Sequence, residues 1–293
     1  MPALVTLGTA SVPLDPEVLR EKQEALFAHL RSLGTVMVAY SGGTDSAYLA
    51  WAASQALGEN AIAVLADSAS VPASHVRDAE AFAREFGIRY QTIKTKEFEN
   101  PDYSKNDGDR CFHCKDELFF RMEAFGKENG LEAIVYGVNK DDLGDYRPGQ
   151  EAAKIHQVEA PLVKADLTKA EIRELSRLAG LPTWNRPAAA CLSSRIAYGM
   201  QVTEEKVKQV ETGEEALKAL GFVKFRVRHH GDLARIEIAR EELPRALDME
   251  MAGEFVRIFK PLGFHFVTLD LEGYRQGSLN ESLGIARKAD SAR

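Results

Sequence analysis

Between residues 35 and 180 the sequence alternates short apolar runs with longer amphipathic segments, and this rhythm is the strongest constraint on the fold. The apolar runs have the length of buried strands, and the segments between them have helical periodicity. The predicted strands are 35–40, 61–65, 89–93 and 133–136, and the predicted helices are 45–57, 73–86 and 113–128. Strands that alternate with helices pair in parallel. The sequence therefore predicts an α/β fold with a parallel sheet.

A further helix is predicted after residue 168. Thr168 and Glu171 have the spacing of a capping box, in which each side chain bonds the other's backbone amide. The apolar residues expected on one face of this helix are Ile172, Leu175 and Leu178. Gly180 and Pro182 are expected to end it.

Beyond Cys191 the rhythm changes to that of a smaller α+β unit. Residues 203–220 are predicted to be a helix, 222–239 a hairpin that turns near 230–232, and 264–271 a last strand. Alternation along the first hairpin strand separates two faces. The first face is Val223, Phe225 and Val227, and the opposite one is Lys224, Arg226 and Arg228.

The segment 41–46, Ser-Gly-Gly-Thr-Asp-Ser, directly follows the first predicted strand. Its two glycines let the backbone approach a phosphate closely, and the amides at the start of the next helix attract the anion. Asp45 would repel phosphate unless a cation lay between them, which predicts Mg²⁺. An ordinary capped strand-to-helix turn is the alternative, but the position of the motif favours phosphate binding. The expected nucleotide-binding residues here are Ala39, Ser41, Gly42, Gly43, Thr44, Asp45 and Ser46.

Two more polar segments follow predicted strands. Residues 66–68 read Ala-Asp-Ser, and residues 136–142 read Tyr-Gly-Val-Asn-Lys-Asp-Asp. Because open α/β sheets bind ligands at the carboxyl ends of their strands, we expect both segments to join the phosphate loop, although a plain polar loop is the alternative for the second. The expected site residues are Asp67, Gly137, Asn139 and Asp142.

The chain has three cysteines: Cys111 and Cys114 form a C-x-x-C pair, and Cys191 follows later. Such a pair is typical of a redox motif, half a zinc site or part of an iron–sulfur site. A redox motif needs no third cysteine, and His113 lies awkwardly between two ligands for zinc. Three thiolates on a [4Fe–4S] cluster would leave one iron open for exchange. Free cysteines can also be small buried hydrophobes. The full set favours a metal or sulfur site.

Composition excludes few classes of function, but it limits the kinds of binding partner that we expect. The net charge is −7, so there is no electrostatic footprint of nucleic-acid binding, and no apolar run has the length of a membrane span. We see no secretory signal, so we expect a cytoplasmic protein with reduced cysteines.

The motifs resemble two nested families. Residues 41–46 lack the closing Gly-Lys-[Ser/Thr] of a Walker A loop and resemble the PP-loop of the N-type ATP pyrophosphatases. In that superfamily, the position of residues 66–68 contacts adenine and ribose, and residues 136–142 resemble a G-x-N-x-D-D segment. The segments 110–115 (RCFHCK) and 186–196 (RPAAACLSSRI), followed by Tyr198-Gly199, resemble the LarE family of ATP-dependent sulfur transferases. This similarity covers nearly the whole chain.

The resemblance implies adenylation of a pyridinium carboxylate mononucleotide, then attack by sulfur with release of AMP, in biosynthesis of the nickel-pincer nucleotide cofactor. Some members surrender the sulfur of a single cysteine, which matches Cys191 here. Others carry the extra C-x-x-C pair and resemble enzymes that transfer a sulfide bound to a cluster. We predict the second type, with Cys111, Cys114 and Cys191 holding a [4Fe–4S] cluster and an unidentified donor restoring the sulfide.

The predicted organisation follows from these assignments. Residues 15–190 form the ATP pyrophosphatase domain, residues 191–273 a domain for substrate binding or oligomerisation, and residues 274–293 a mobile tail. Ser194 and Arg195, beside Cys191, are expected to act in catalysis. Arg226 and Arg228 are either a solvated strand face or a clamp for the substrate phosphate. We expect a small nucleotide substrate and a homo-oligomer.

Three rival functions use parts of the same sequence. An ATP-dependent tRNA thiolase would share the cysteine set, but net acidity counts against it. An ammonia-using synthetase would not need the cysteines. A nucleotide-sensing module would bind ATP without releasing pyrophosphate.

Overall fold

The computed structural model describes residues 14–143, 148–187 and 190–275. In these residues one parallel sheet has four strands in the order β3-β2-β1-β4. Its strands are β1 (Val36–Tyr40), β2 (Ala61–Asp67), β3 (Tyr90–Lys94) and β4 (Ala133–Tyr136). The predicted α/β class and its four parallel strands are confirmed, with bounds that differ by one or two residues.

Helices flank this sheet and continue into the C-terminal part. Those before Cys191 are α1 (Pro16–Ser32), α2 (Thr44–Leu57), α3 (Ala73–Glu85), α4 (Pro101–Ser104), α5 (Arg110–Asn129), α6 (Pro148–Ile155), α7 (Pro161–Lys164) and α8 (Lys169–Leu178). Those after it are α9 (Glu204–Ala219), α10 (Leu243–Ala246) and α11 (Met249–Phe259). Short 3₁₀ turns include Lys140–Asp142, Pro182–Asn185 and Leu192–Arg195.

The central strand β1 divides the core into two layers. All five of its residues are buried. Val36, Val38 and Tyr40 pack into one cluster with residues of α1, α2, α3 and α8, whereas Met37 and Ala39 pack on the other face with α5 and α6. A strand covered on both faces must be apolar at every position, which explains the unbroken apolar run in the sequence.

The predicted capping box at the start of α8 is present: the Thr168 side chain accepts from the Glu171 amide, and Glu171 accepts from the Thr168 amide. Ile172 and Leu175 are buried, but Leu178 is 62% exposed. The expectation that Leu178 shares the buried face is therefore wrong, because six residues at about 100° each place Leu178 about 120° around the helix from Ile172.

The second sheet has the order β5-β6-β7 among the described residues. Its strands are β5 (Phe225–His230), β6 (Leu233–Ile238) and β7 (Phe266–Leu269). Strands β5 and β6 form the predicted antiparallel hairpin, and β7 pairs with β6 in parallel. Residues of α9 and α11 complete its core. The predicted tail lies, from residue 276 onward, outside the described residues.

The predicted faces of the hairpin strand are partly wrong. Val223 is 80% exposed because the strand begins two residues later, and Glu242 binds the amides of Val223 and Lys224. Arg228, for which the sequence leaves a solvated face or a phosphate clamp as alternatives, is only 6% exposed and so does not lie on a solvated face. It donates to the Ser194 carbonyl at 3.2 Å and forms an ion pair with buried Glu237 at 3.0 Å. The segment after Cys191 covers this face.

An ionic contact joins α6 to α5 on one side of the parallel sheet. His156, which follows α6, bonds Glu123 through Nδ1 at 2.8 Å and Asp116 through Nε2 at 3.0 Å. Burial alone would lower the pKa of His156, but hydrogen bonds to the two carboxylates outweigh it and raise this pKa. The imidazolium is therefore stabilised by the fold.

This contact predicts a pH dependence of stability. The contribution of His156 should be complete below the pKa of an unfolded histidine, about 6.5, and should disappear as pH rises through the higher pKa of the folded state. The His156→Gln variant should lower the urea midpoint at about pH 6 and lose that difference by about pH 8.5. A difference between variant and wild type that does not change over this range would contradict the assignment.

Candidate functional site

The phosphate loop connects β1 to α2 at the carboxyl edge of the parallel sheet. Gly42 has a positive φ of 73°, and a Cβ added there would meet the Ala79 Cβ at 3.1 Å. Gly43 is the N-cap of α2, and Thr44 and Ser46 are buried in its first turn. The Ser46 hydroxyl accepts from the Ser41 amide at 3.2 Å. The loop is thus shaped by its own residues and leads into a helix N-terminus, the arrangement that binds phosphate.

The loop after β4 lies directly against the phosphate loop. A Cβ added at Gly137 would meet the Ser46 amide nitrogen at 2.8 Å, so only glycine permits this approach. Asn139 caps the 3₁₀ turn that follows and is a hydrogen-bond partner of Asp45. The negative charge of Asp142 also acts on Asp45. The structure therefore brings together these residues of two predicted segments.

Asp45 has a partner that the sequence reasoning missed. Lys169 Nζ donates to both carboxylate oxygens of Asp45, at 2.8 and 2.7 Å. Burial raises the pKa of Asp45, while the charge of Lys169 opposes that rise. The signal was available: Lys169 is the first residue of the helix that the capping box predicted, so its start at the sheet edge could have been inferred.

These groups fit Mg²⁺. The ion binds through one or two carboxylates together with substrate phosphates and water, so a cage of protein ligands is not required. Asp45 and Asp142 are the acidic side chains beside the loop. When a metal ion replaces the Lys169 ammonium group at Asp45, phosphate oxygens can attract that ammonium group. The magnesium assignment stays a prediction.

Two other predicted nucleotide contacts lie on the same edge. Asp67 is the exposed last residue of β2, and its carbonyl accepts from the Thr95 amide. Ala39 is buried in β1 between Val64 and Tyr136. Their positions suit an adenosine that lies across the strand ends.

The segment just before Cys191 braces the phosphate loop. Thr44 donates its hydroxyl to the Thr183 carbonyl at 2.9 Å. Arg186 donates to the Gly42 carbonyl at 2.8 Å and also pairs with Asp78. Arg186 had no assigned role, and no local pattern in the sequence indicates its contact across the chain.

The three cysteines lie in one region. Cys111 and Cys114 are in the first turn of α5, and Cys191 caps the 3₁₀ turn Leu192–Arg195. Burial is the first cause that raises the pKa of both Cys111 and Cys114, and the charge of Cys191 is the second. The fold therefore brings the three thiols within electrostatic reach of one another.

Proximity does not make this region a metal centre. Among the residues that the structure describes, no three His, Cys, Asp or Glu side chains are placed to hold a metal ion. The three thiols as arranged form no such group. The cluster is unsupported.

Arg195 and Ser194 hold the backbone at Cys191. The Arg195 guanidinium, which is 2% exposed, donates to the carbonyls of Ala190 and Cys191 at 2.6 and 2.9 Å and pairs with Glu214. The Ser194 hydroxyl donates to the Cys191 carbonyl at 2.6 Å. Both predicted catalytic residues thus position the cysteine, and any contact with substrate stays a prediction.

The two predicted clamp arginines lie near this turn. Burial lowers the pKa of Arg226, and the charges of Arg195 and Arg228 lower it further. The Arg226 guanidinium also lies 5.1 Å from the centre of the Tyr274 ring. The three guanidinium groups lie close together, and Glu214 and Glu237 balance part of their positive charge through ion pairs with Arg195 and Arg228.

The fold and the loop define a class. The protein has a four-stranded parallel sheet, with the segment Ser-Gly-Gly-Thr-Asp-Ser between a central strand and a helix. Gly137, Asp142 and Lys169 lie against that loop. A protein with this fold and this loop is an ATP pyrophosphatase of the PP-loop type. In agreement, residues 22–111 match the sequence model of the NAD synthase family.

Whole-chain comparisons give the family. The chain is 35% identical over 277 residues to pyridinium-3,5-bisthiocarboxylic acid mononucleotide synthase of Lactiplantibacillus plantarum, covering 94% of this chain and 99% of that protein. It is also 41% identical over 266 residues to an uncharacterised protein of Synechocystis, covering 91% and 99%. The chain is 31% identical over 156 residues to the NH₃-dependent NAD⁺ synthetase of Methanococcoides burtonii, and this match covers 50% of this chain and 57% of that protein.

The chain belongs to the LarE family, the family of the Lactiplantibacillus synthase, and is an ATP-dependent sulfurtransferase. In the part of the chain that the structure describes, no helix is long and apolar enough to cross a membrane.

The close approach at Gly137 generates a prediction. The Gly137→Ala variant should lower ATP-dependent pyrophosphate release by about tenfold or more, because the added methyl group forces the β4 loop away from Ser46. The matched control is Gly253→Ala, at an exposed position of helix α11 where a Cβ meets nothing within 4 Å. That variant should keep full activity. Equal activity of the two variants would contradict the assigned packing.

Proposed function

We propose that this enzyme uses ATP to adenylate a carboxylate of a pyridinium mononucleotide and then replaces the activated oxygen with sulfur. The observation that carries the proposal is that one segment of the chain connects the phosphate loop to the turn that holds Cys191. Thr183 and Arg186 contact the phosphate loop, and within ten residues the chain reaches Cys191 and the turn that holds it. The named relative makes a product of this kind.

The first step is adenylation. A carboxylate oxygen attacks the α-phosphorus of ATP, the bond to the β-phosphate oxygen breaks, and pyrophosphate leaves. The phosphate loop amides and the α2 N-terminus stabilise the phosphate charge. Asp45 and Asp142 would hold Mg²⁺, which neutralises phosphate charge when bound. Lys169, released from Asp45, then donates to a phosphate oxygen.

The second step is sulfur transfer. A sulfur nucleophile attacks the carbonyl carbon of the acyl adenylate, and the carbon–oxygen bond to AMP breaks. If the nucleophile is hydrosulfide, the product is a thiocarboxylate and a proton is released. If it is the Cys191 thiolate, a thioester forms, and loss of the Cys191 α-proton gives a thiocarboxylate and dehydroalanine. Both routes balance without a [4Fe–4S] cluster, and the described residues form no group placed to hold a metal ion.

The substrate's phosphate is assigned to the cationic region formed by Arg195, Arg226 and Arg228. Their charges act on one another beside the Cys191 turn, and a dianionic phosphate would relieve that repulsion. Residues 191–273 would then provide the substrate-binding unit and residues 15–190 the ATP-binding unit. The homo-oligomer and the unidentified sulfide donor are further parts of this proposal.

Single Cys→Ala variants test the sulfur step separately from adenylation. Each variant at Cys111, Cys114 and Cys191 should retain pyrophosphate release, because the phosphate loop is a separate site. If all three variants lose thiocarboxylate formation, and wild-type protein prepared without oxygen carries iron and acid-labile sulfide, the [4Fe–4S] cluster hypothesis would be supported. Loss in Cys191→Ala alone, with wild-type Cys191 lighter by about 34 Da after one turnover, would establish sacrifice of its sulfur. Full thiocarboxylate formation by every variant would contradict a role for the cysteines.

A further inference from the structure

Arg110 is a buried cation whose acidic hydrogen-bond partner is the thiol of Cys111, and among the described residues it has no carboxylate partner. It is the first residue of α5, next to Cys111, and is 3% exposed. Its guanidinium donates to the Asn106 side-chain oxygen and to the Ser193 carbonyl at 3.1 Å, and lies 5.8 Å from the centre of the Tyr198 ring. Among the described residues, no carboxylate lies within ion-pair distance of it. A buried charge is costly without a counter-charge.

The groups around Arg110 belong to the cysteine region. Burial would lower the pKa of Arg110, but the charges of Cys191 and Cys111, followed by those of Tyr103 and Tyr198, raise it. Each of these neighbours is neutral when protonated. The acidic groups around the guanidinium in the described protein are therefore thiols and phenols, with no carboxylate among them.

Neighbouring residues fix Arg110 in this position. Tyr103 and Ser193 share a hydrogen bond between their hydroxyls at 2.7 Å. Asn106, fully buried and with a φ of 64°, donates its amide to the carbonyls of Ala197 and Met200 at 2.9 and 3.0 Å. These hydrogen bonds hold the segment after Cys191 against the chain before α5. Because Arg110 is buried between them, its side chain cannot turn toward solvent.

We infer that Arg110 is the cationic half of a small-anion subsite at the cysteines, and that its ligand is hydrosulfide. The anion class follows from a fixed, buried guanidinium without a carboxylate. Its identification as hydrosulfide rests on the hydrosulfide route of the proposed function, in which this small anion is the sulfur nucleophile. The substrate phosphate has its own cations in Arg195, Arg226 and Arg228.

Alkylation of the thiols tests the subsite without turnover. Iodoacetate is an anion and iodoacetamide is neutral, yet both consume the same thiolate. The ratio of their rates at one thiol therefore does not depend on the thiolate fraction and reports the local potential. The rates are measured at Cys111 and Cys191 by peptide mass spectrometry on the full chain, prepared without oxygen.

The Arg110→Met variant should lower the iodoacetate-to-iodoacetamide ratio by about three- to tenfold at these thiols. Arg110→Lys, which keeps the charge, should preserve most of it. Arg121→Met, on the same helix but paired with Glu117, is the matched control and should match wild type. An unchanged ratio in Arg110→Met, or equal loss in the Met and Lys variants, would overturn the subsite. Complete protection of all three wild-type thiols from both reagents would also overturn it.

Sulfide dependence then separates this inference from the proposed function. Arg110→Met should raise the KM for sulfide in thiocarboxylate formation, while pyrophosphate release is unchanged. If wild type forms no thiocarboxylate but shows the expected alkylation ratios, the proposed function fails and the anion subsite stands. If wild type forms thiocarboxylate and Arg110→Met has the same KM for sulfide, the assignment to hydrosulfide fails.

Discussion

The site depends on the parallel pairing of the buried strand β1 with both β2 and β4. Parallel pairing places the carboxyl ends of three strands at one edge, so the phosphate loop after β1 meets the loop after β4. The contact is tight enough that Gly137 has no room for a Cβ against the Ser46 amide. Asp45, Asn139 and Lys169 are brought together by this packing and by the start of α8.

A second constraint is the route of the chain from α8 to the hairpin. It crosses the phosphate loop at Thr183 and Arg186, reaches Cys191, and then joins the second sheet, where Ile196 bridges to His229. Its contacts on the other side run through Ser193 to Tyr103 and Arg110. One segment therefore touches the nucleotide loop, the cysteine region and the cationic region.

Local sequence patterns predicted the features of the fold that depend on neighbouring residues. Apolar runs predicted the strands, the Thr168–Glu171 spacing predicted the start of α8, and the Gly231 region predicted the hairpin turn. Errors arose where burial depends on distant residues. Arg228 alternates with apolar residues as a solvated side chain would, yet the segment after Cys191 covers it and Glu237 pairs with it. Arg186 was missed because its partner, the Gly42 carbonyl, lies 144 residues away. The partner of Lys169 lies 124 residues away, and only the predicted start of α8 indicated that Lys169 reaches the sheet edge.

The central claim is that cleavage of ATP to AMP and pyrophosphate is coupled to replacement of oxygen by sulfur on a small pyridinium carboxylate. The most direct measurement is the mass and amount of product formed by wild-type protein, without oxygen, from a pyridinium carboxylate mononucleotide, ATP, Mg²⁺ and sulfide. The account predicts a thiocarboxylate in amounts equal to the AMP and pyrophosphate released. It would be contradicted by pyrophosphate release that yields an amide when ammonia is supplied, or that requires tRNA and thiolates it.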